Sequence, residues 1–440
     1  MPRFNRNCDG MLRRDALKVG VLGTGGLSLG QFLKATEANE DNGQPIRSAI
    51  FVDLAGGPSH LDTFDPKPNA PREIRGKFAS VKTNVAGVEI SEHLPKLAKC
   101  ADKFAIVRGV SHTLAAHRLG SEYINTGNRP LASLEYPGYG AVVTKESEGT
   151  NPPTLPPFVS IPSGGQRPGF LGVKYGPLNT NRVPQAGSPF SVRGISMQGG
   201  MTLREFENRH KLLKDLDSTF ASLEQESQLV EGLDDFNRKA FNMITSAKAR
   251  EAFDISKETP SFAKPFGDQA FGNSCLLATR LIESGVRFVT LRLGGWDTHQ
   301  SNFERLAENL LPNLDTGLSA LFNGLEQKGL LDSTAVFVSG EFGRTPTINP
   351  AGGRDHWPHG FSVALAGGGI GKGRVIGRTS PTPKLIDGRP ELDLENPKPV
   401  EDLHATVLHL LGVDYSQEVQ TPIGRPMKLS TGTVIDELLA

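Results

Sequence analysis

The sequence predicts an α/β protein of three layers, in which a largely parallel sheet lies between two layers of helices. Short apolar runs alternate along the chain with stretches whose apolar residues recur at helical spacing. The apolar runs lack polar alternation, so both of their faces are expected to be covered, as in parallel sheets between helices. The 440 residues also provide enough chain for a large core without disulfide support.

The predicted elements follow one another in a regular order. Buried strands are expected at 48–54, 104–108, 157–161, 286–292, 333–339 and 361–366. Helices are expected at 94–99, the centre of 111–127, 202–254, 269–284, 302–329 and 400–411. No internal repeat is present. The length indicates two or three domains, but one large α/β domain over 48–440, with a helical insert at about 202–260, also fits and is the arrangement we expect.

Residues 1–38 differ from the rest of the chain and are typical of an export signal. Five basic side chains precede the apolar, glycine-rich run 19–30, and small residues follow up to Ala38. Segment 13–18 resembles the twin-arginine export motif, with Ala16 in place of its Phe. The pattern predicts a twin-arginine-type signal peptide at 1–38, a linker at 39–47 and a periplasmic or extracellular mature protein. An ordinary anchoring helix is the alternative.

Composition excludes several classes of protein. The 48 basic and 48 acidic side chains give a formal net charge of zero, which argues against a nucleic-acid partner. No apolar run is long enough to span a bilayer, so no integral membrane span is expected after the signal. Cys100 and Cys275 belong to no metal or nucleophile motif, and the sequence leaves open both their pairing and the oligomeric state.

Titratable side chains gather beside the predicted strands, where ligands bind in such sheets. They are Asp53, Ser59, His60 and Asp62; Ser111, His112 and His117; Asp297 and His299; Glu341 and Arg344; and Asp355, His356 and His359. All follow a strand except the 355–359 cluster, which precedes one. Because several strand ends meet at one edge, these carboxylates and imidazoles predict a metal site there.

The mixture of donors favours a divalent cation. Carboxylates reduce its charge and imidazoles supply nitrogen donors suited to Zn or Mn, with Ca as a further option. Arg344 is expected to clamp an anionic oxygen by a bidentate contact. His112, His117 and His356 are expected to complete the metal shell or to act as acid and base.

Plain structural interpretations stay open for the same residues. Asp53 at a strand end is equally typical of a turn cap. Asp297 and His299 fit a hydrogen-bonded turn, and Glu341 fits a simple partner of Arg344. The constellation therefore counts for more than any of its members.

Four segments, in this order, resemble the alkaline phosphatase and sulfatase superfamily. They are 51–65 (FVDLAGGPSHLDTFD), 294–299 (GGWDTH), 340–346 (GEFGRTP) and 355–360 (DHWPHG). The chain resembles more closely the exported bacterial family called domain of unknown function 1501 (DUF1501), over most of residues 45–430. The resemblance implies an alkaline phosphatase-like fold.

The same resemblance implies a set of metal ligands. They are Asp53, Asp297, His299, Glu341 and His359, with His356 as the rival of His359. Two positions depart from the superfamily pattern. Phe342 stands where a histidine is expected, and His117 stands where the Cys or Ser nucleophile of sulfatases is expected.

Three functional hypotheses follow. The first is an exported metal-dependent hydrolase of phosphate or sulfate esters, small or glycan-borne, with His117, Arg344 and His356 as catalytic candidates. A metal-bound water would attack, because no nucleophile stands in register. The second is a non-catalytic binding protein on a degenerate alkaline phosphatase-like scaffold. The third, a cytoplasmic nucleotide-binding protein, rests on the glycine-rich run 367–373, which lacks the Ser or Thr of a phosphate loop.

Overall fold

The computed structural model describes residues 46–149, 155–185, 190, 192, 246–380, 385–386, 389–390 and 394–440. The predicted signal peptide, nearly all of the linker and most of the helical insert lie outside these residues. Residues Ile46–Ala440 form one structural unit. None of the described helices has the length and apolar character needed to cross a membrane.

Nineteen strands are present among the described residues. They are β1 (Ser48–Asp53), β2 (Ser80–Lys82), β3 (Glu89–Ser91), β4 (Phe104–Ser111), β5 (Phe158–Ile161), β6 (Leu178–Asn179), β7 (Phe288–Arg292), β8 (Thr334–Ser339), β9 (Gly343–Arg344), β10 (His356–Trp357), β11 (Phe361–Ala366), β12 (Val375–Ile376), β13 (Arg378–Thr379), β14 (Leu385–Ile386), β15 (Arg389–Pro390), β16 (Leu394–Glu395), β17 (Lys398–Pro399), β18 (Glu418–Gln420) and β19 (Pro426–Lys428).

Ten α-helices accompany them in the described part of the chain. They are α1 (Arg72–Arg75), α2 (Pro95–Ala98), α3 (His117–Thr126), α4 (Tyr139–Glu146), α5 (Ala247–Ala252), α6 (Pro260–Ala263), α7 (Ala270–Glu283), α8 (Asn302–Arg305), α9 (Leu311–Gln327) and α10 (Val400–Leu410). A π-helical turn, Leu306–Leu310, joins α8 to α9. The predicted helix at 302–329 is therefore continuous but changes pitch near its start.

The central sheet contains nine of these strands, in the order β12-β4-β11-β8-β1-β7-β5-β6, with β17 beside β4. Strand β1 runs parallel to both of its neighbours, β7 and β8. Strand β11 runs antiparallel to both β4 and β8. The predicted sheet, largely parallel, is confirmed, and β11 is the member of it that reverses direction.

Both faces of the sheet are covered, as the unbroken apolar strands predict. On β1, Ile50 and Val52 pack into a core that includes α7 and α9. The alternate residues Ala49 and Phe51 pack into a second core that includes α3, α4 and α10. Because successive side chains of a strand point to opposite faces, a strand buried on both sides needs apolar residues at every position. The three-layer architecture is thereby confirmed.

The glycine-rich run after β11 serves close packing. A Cβ atom on Gly367 would lie 1.7 Å from the carbonyl oxygen of Thr334, and one on Gly368 would lie 1.9 Å from that of Asp332. Thr334 begins β8, so this turn lies at the amino edge of the parallel strands. Cys100 and Cys275 are buried free thiols.

Candidate metal centre at the carboxyl edge of the sheet

The carboxyl edge of the sheet is where the sequence predicts the site. Strands β1, β7 and β8 all end there, level with one another. Asp53, the last residue of β1, pairs with Arg292 of β7 and with Ser339 of β8. The reversed direction of β11 places its first residue, Phe361, at this same edge, beside Val110 near the end of β4. The segment before β11 therefore meets the segments that follow β4, β7 and β8.

Four side chains from these segments converge, and we refer to His117, Asp297, His299 and His356 as the His/Asp cluster. His117 Nε2 lies 3.3 Å from Asp297 Oδ2. His299 Nε2 and His356 Nε2 lie 3.1 Å and 3.2 Å from Asp297 Oδ1. Those two Nε2 atoms are 3.0 Å apart. Ligand atoms of His117, Asp297 and His356 all lie within 4.8 Å of one another.

The other ring nitrogen of each histidine meets an oxygen acceptor. His117 Nδ1 lies 2.5 Å from Glu341 Oε1, and His299 Nδ1 lies 2.7 Å from Asp355 Oδ1. His356 Nδ1 lies 2.7 Å from the carbonyl oxygen of Ala115. In a neutral imidazole an acceptor at Nδ1 favours the proton on that atom, and this tautomer leaves the Nε2 lone pair available to a cation. Metal-ligating histidines are oriented in this way in proteins.

This arrangement of lone pairs fits a cation. His299 Nε2 and His356 Nε2 lie 3.0 Å apart. When both nitrogens are unprotonated, their lone pairs repel unless a positive charge lies between or beside them. His117 Nε2 is buried without a hydrogen-bond partner, and such an atom needs an explanation. Ligands held about 2.0–2.1 Å from a tetrahedral Zn²⁺ lie about 3.3 Å apart, close to the separations seen here.

Two neighbouring loops hold Glu341 in place. Its two carboxylate oxygens accept the backbone N–H of Gly56 at 3.0 Å and 3.1 Å. Gly56 has a φ of +114°, and a Cβ there would lie 2.5 Å from the backbone nitrogen of Asp297. Only glycine fits this position, so the turn after β1 brings Glu341 and Asp297 together.

Arg344 has a different position from the one the sequence suggested. Its side chain is fully buried, and it donates to the carbonyl oxygens of Gly57 at 2.8 Å and Arg354 at 3.2 Å and to that of Gly56. Its Nη2 also donates to Asp297 Oδ1 at 2.7 Å. A guanidinium with all three nitrogens engaged cannot clamp an external anion, so Arg344 is a positioning residue for Asp297.

Electrostatics keep the cluster carboxylate ionised. Burial raises the pKa of Asp297, but the contacts with Arg344 and His356 outweigh it, and the net pKa falls below the ordinary range. The hydrogen bond with Glu341 raises the pKa of His117, whereas burial lowers the pKa of His356. A carboxylate that stays charged beside imidazole nitrogens is a good ligand set for a divalent cation.

Asp53 lies outside the cluster. Its Oδ2 is 3.7 Å from Arg292 Nε, and it lines a cavity together with Gly165. Burial raises its pKa to about 7, although Arg292 opposes the shift. Asp53 therefore lies beside Arg292 and not among the converging histidine nitrogens.

His359 and His112 also take other places. The ring of His359 packs edge-on against Trp357, with centroids 4.8 Å apart. His112 Nε2 donates to the backbone oxygen of Glu341 at 2.7 Å, while its Nδ1 accepts the N–H of Leu114 at 3.0 Å. With both nitrogens engaged, His112 supports the chain that carries Glu341.

Phe342 occupies the centre of the cluster's inner wall. Its ring centroid lies 5.0 Å from that of His117 and 4.5 Å from that of His356. Phe342 is fully buried, so its ring supports the two imidazoles from the interior of the protein. Among the described residues, one group of side chains could hold a metal ion: His117, Asp297 and His356.

The structure thus reassigns several roles. His117 and His356, expected as catalytic acids or bases, join Asp297 and His299 at the converging atoms. Glu341, expected as a metal ligand, instead contacts Nδ1 of His117 and orients that imidazole. Sequence reasoning had no supporting role for Asp355, although its position next to His356 was a signal. His117, Asp297 and His356 form a possible metal-ligand triad of two imidazoles and one carboxylate.

Fold and site together define a three-layer α/β/α protein with a candidate histidine–carboxylate metal centre at the carboxyl edge of its sheet. By sequence, the chain belongs to the family described as protein of unknown function DUF1501, which matches residues 46–439. The resemblance noted from the sequence motifs is confirmed by this match.

Solved structures that resemble this chain are remote from it. The lipoteichoic acid synthase LtaP from Listeria monocytogenes is 10% identical, over 94% of this chain and 80% of that one, with a TM-score of 0.35. A protein in the alkaline phosphatase superfamily from Vibrio parahaemolyticus is 13% identical, over 90% and 71%, with a TM-score of 0.35. The PsFucS1 sulfatase from Pseudoalteromonas sp. is 10% identical, over 92% and 78%, with a TM-score of 0.37. No curated protein matches the chain.

Proposed function

We propose that this protein is a metal-dependent hydrolase of phosphate or sulfate esters. One observation carries the proposal. Three imidazole Nε2 atoms converge on one carboxylate, and each imidazole has its Nδ1 held by an oxygen acceptor. Hydrogen-bonded turns and structural ion pairs do not need several unprotonated nitrogens aimed at one point.

His117, Asp297 and His356 would hold the cation, with His299 beside them. A divalent metal there would supply Lewis acidity to an ester oxygen and to a water molecule. Glu341 and Asp355 keep the imidazoles oriented, and Arg344 fixes the carboxylate. Side chains of His117 and Asp297 are 39% and 47% exposed, so a small ester can reach the centre. An accessible site of this kind favours catalysis over a closed structural role.

Metal analysis and ester turnover test this proposal together. Protein purified without chelator should contain about one Zn or Mn per chain, and it should hydrolyse 4-nitrophenyl phosphate or sulfate. Chelation should abolish turnover, and Zn²⁺ or Mn²⁺ should restore it. His356→Ala should lose both metal and turnover. His409→Ala, which removes an exposed histidine on α10, is the matched control and should keep both.

A second candidate is a non-catalytic binding protein, and Phe342 is the observation that favours it. This residue fills the position where the resemblance leads one to expect a metal-ligating histidine. Stoichiometric metal with no turnover across phosphate and sulfate esters would support the binding protein. Absence of both metal and turnover would contradict the hydrolase and the metal centre alike.

Export to the periplasm or beyond is also part of our proposal, and it rests on residues 1–38 alone. The test is the amino terminus of protein recovered from cells. A mature chain that begins near Asn39 supports a cleaved signal. Replacing Arg13 and Arg14 by Lys should then retain the full-length chain inside the cell, while intact Met1 on exported protein would contradict cleavage.

A further inference from the structure

A cavity of about 270 Å³ is lined by Asp53 and by residues of α3, the helix that begins with His117. Asp53 and Arg292, at the ends of β1 and β7, form one wall. Arg118 and Ser121 of α3 form another, and Arg167 lies near the rim. Each of these groups is polar, yet none belongs to the His/Asp cluster.

The cavity and the metal centre are contiguous through α3. His117 is the first residue of this helix, and Ser121, which lines the cavity, lies four positions later on the same helix face. At 1.5 Å per residue, Ser121 therefore lies about 6 Å along the helix axis from His117. An ester whose reacting oxygen lies at His117 would extend its alcohol portion into the cavity.

Charges on the cavity wall occur in balanced pairs. Arg118 Nη1 lies 2.7 Å from Glu122 Oε1, and Arg167 Nη1 lies 3.2 Å from Glu135 Oε1. Arg292 Nε lies 3.7 Å from Asp53 Oδ2 and forms the third such pair. All six of these residues line the cavity. Because each guanidinium already has a carboxyl neighbour, the wall is a poor site for a dianion.

The same pairs offer alternating donors and acceptors. Each guanidinium carries five N–H donors and each carboxylate several acceptor sites, so one mutual contact leaves both with capacity. Vicinal hydroxyl groups both donate and accept, and they match this pattern. Leu134 and Tyr136 add apolar surface to the wall, which suits the C–H face of a sugar ring.

The size of the cavity limits the occupant. Pockets for drug-sized ligands measure about 300–1,000 Å³, and this cavity falls just below that range. A single sugar ring is a compact group of many hydroxyls on an apolar frame, and it fits both the volume and the wall.

We propose that this cavity binds one uncharged sugar ring, so that the substrates are monosaccharide or glycan esters whose phosphate or sulfate lies at the His/Asp cluster. The inference rests on the proposed function, because it assigns the alcohol portion of the same ester. Arg292 and Arg118 would be specificity-determining residues that touch the sugar and leave the metal untouched.

The test compares two esters that share a reacting group. Glucose 6-phosphate and glucose 6-sulfate carry the sugar, while 4-nitrophenyl phosphate and sulfate do not. Arg292→Met and Arg118→Ala should each lower kcat/KM for the sugar ester about tenfold, mainly through KM, because lost hydrogen bonds to hydroxyls are worth about 1.4 kcal/mol each. Turnover of the 4-nitrophenyl ester should fall clearly less than turnover of the sugar ester, because its alcohol portion has no hydroxyl groups for these arginines to bind. Lys248→Ala, on the exposed face of α5, is the control, and thermal unfolding checks the fold of each variant.

Calorimetry on chelated protein separates this inference from the proposed function. Methyl glucoside should bind the full chain without metal and should bind Arg292→Met at least tenfold more weakly. Turnover of the 4-nitrophenyl ester without any preference for the sugar ester would overturn the sugar site and leave the hydrolase standing. Glucoside binding without turnover of any ester would support the sugar site and contradict the hydrolase. If Arg292→Met loses inorganic phosphate instead of glucoside, the cavity is an anion site and the inference is wrong.

Discussion

Two groups of ionisable side chains lie in the loops at this edge of the sheet, and they differ in how fully their hydrogen bonds are satisfied. Asp62 and Arg354 form a buried pair at 2.8 Å, and both side chains are inaccessible. Asn302 donates to Asp62 at 3.0 Å, and Arg354 also donates to the backbone oxygen of Ile74 at 2.7 Å. In this pair, every charge has a partner of opposite sign.

The His/Asp cluster is the opposite case. It is partly exposed, it holds a buried nitrogen without a partner, and its nitrogen lone pairs face each other. The comparison teaches that convergence of charged residues at a sheet edge does not by itself mark a ligand site. An unmatched nitrogen alone does not either, since both ring nitrogens of the buried His404 lack hydrogen-bond partners. The His/Asp cluster differs because three imidazole nitrogens converge on one carboxylate.

The largest expected effect falls on the satisfied pair. Arg354→Ala leaves Asp62 charged and buried, so the free energy of unfolding should fall by about 3–5 kcal/mol. Urea denaturation measures it. Lys372→Ala breaks an exposed ion pair with Asp332 and should cost less than about 1 kcal/mol. Equal losses of stability in Arg354→Ala and Lys372→Ala would contradict the structural role of the buried Asp62–Arg354 pair.

Asp297→Asn should act on metal binding and leave folding largely intact. Its carboxylate is the one group that contacts all three imidazole nitrogens. Metal affinity should therefore fall by more than the ~10–100-fold typical of supporting residues. Competition with a chelating dye measures it, and Asp332→Asn, at an exposed site, is the control. Unchanged affinity would mean that the cluster holds no metal.

Glu341→Gln tests the supporting contact. A neutral amide holds His117 Nδ1 less strongly than a carboxylate, so metal affinity should fall about 10–100-fold. Glu304→Gln changes an exposed glutamate that pairs with Lys77 and should have no effect in the same dye competition. A loss as large as that of Asp297→Asn would make Glu341 a ligand and not a support.

Asp53→Asn should have the smallest effect on metal binding. Its effect on the free energy of unfolding should appear only as a pH dependence. Burial raises the pKa of Asp53 from 3.8 to about 7, so the folded state holds the proton more tightly than the unfolded state. Its stabilising contribution is complete below about pH 4 and is lost as pH rises to about 7. Between pH 5 and pH 8, chelated wild type should lose about 2–3 kcal/mol more than Asp53→Asn. Loss of metal in this variant would instead restore Asp53 as a ligand.

Much of the site was predictable because strand ends are predictable. Apolar runs identified β1, β7 and β8, and the parallel class placed Asp297, His299 and Glu341 at one edge. The segment at 355–359 was the exception, since it precedes its strand. It reaches the same edge because β11 is antiparallel to β4 and β8, and pairing direction is a property of the sheet that no local pattern contains.

The particular roles were not predictable. Whether His356 or His359 faces the cluster depends on the two-residue pairing of β10 with β9, which sets His356 opposite Arg344. Whether Arg344 binds a ligand or the chain depends on the turn at Gly56 and Gly57, whose carbonyl oxygens occupy its donors. Both outcomes come from contacts between segments far apart in sequence.

By itself the sequence determined the class of fold and the set of side chains available at one edge, because apolar patterning governs which strands are buried and polar residues must follow them. Only the tertiary structure decided which nitrogens meet at Asp297, which carboxylates support them and which charges pair off in the core. The physical reason is that hydrogen-bond satisfaction is settled atom by atom at about 3 Å, and that requires every loop to be in place.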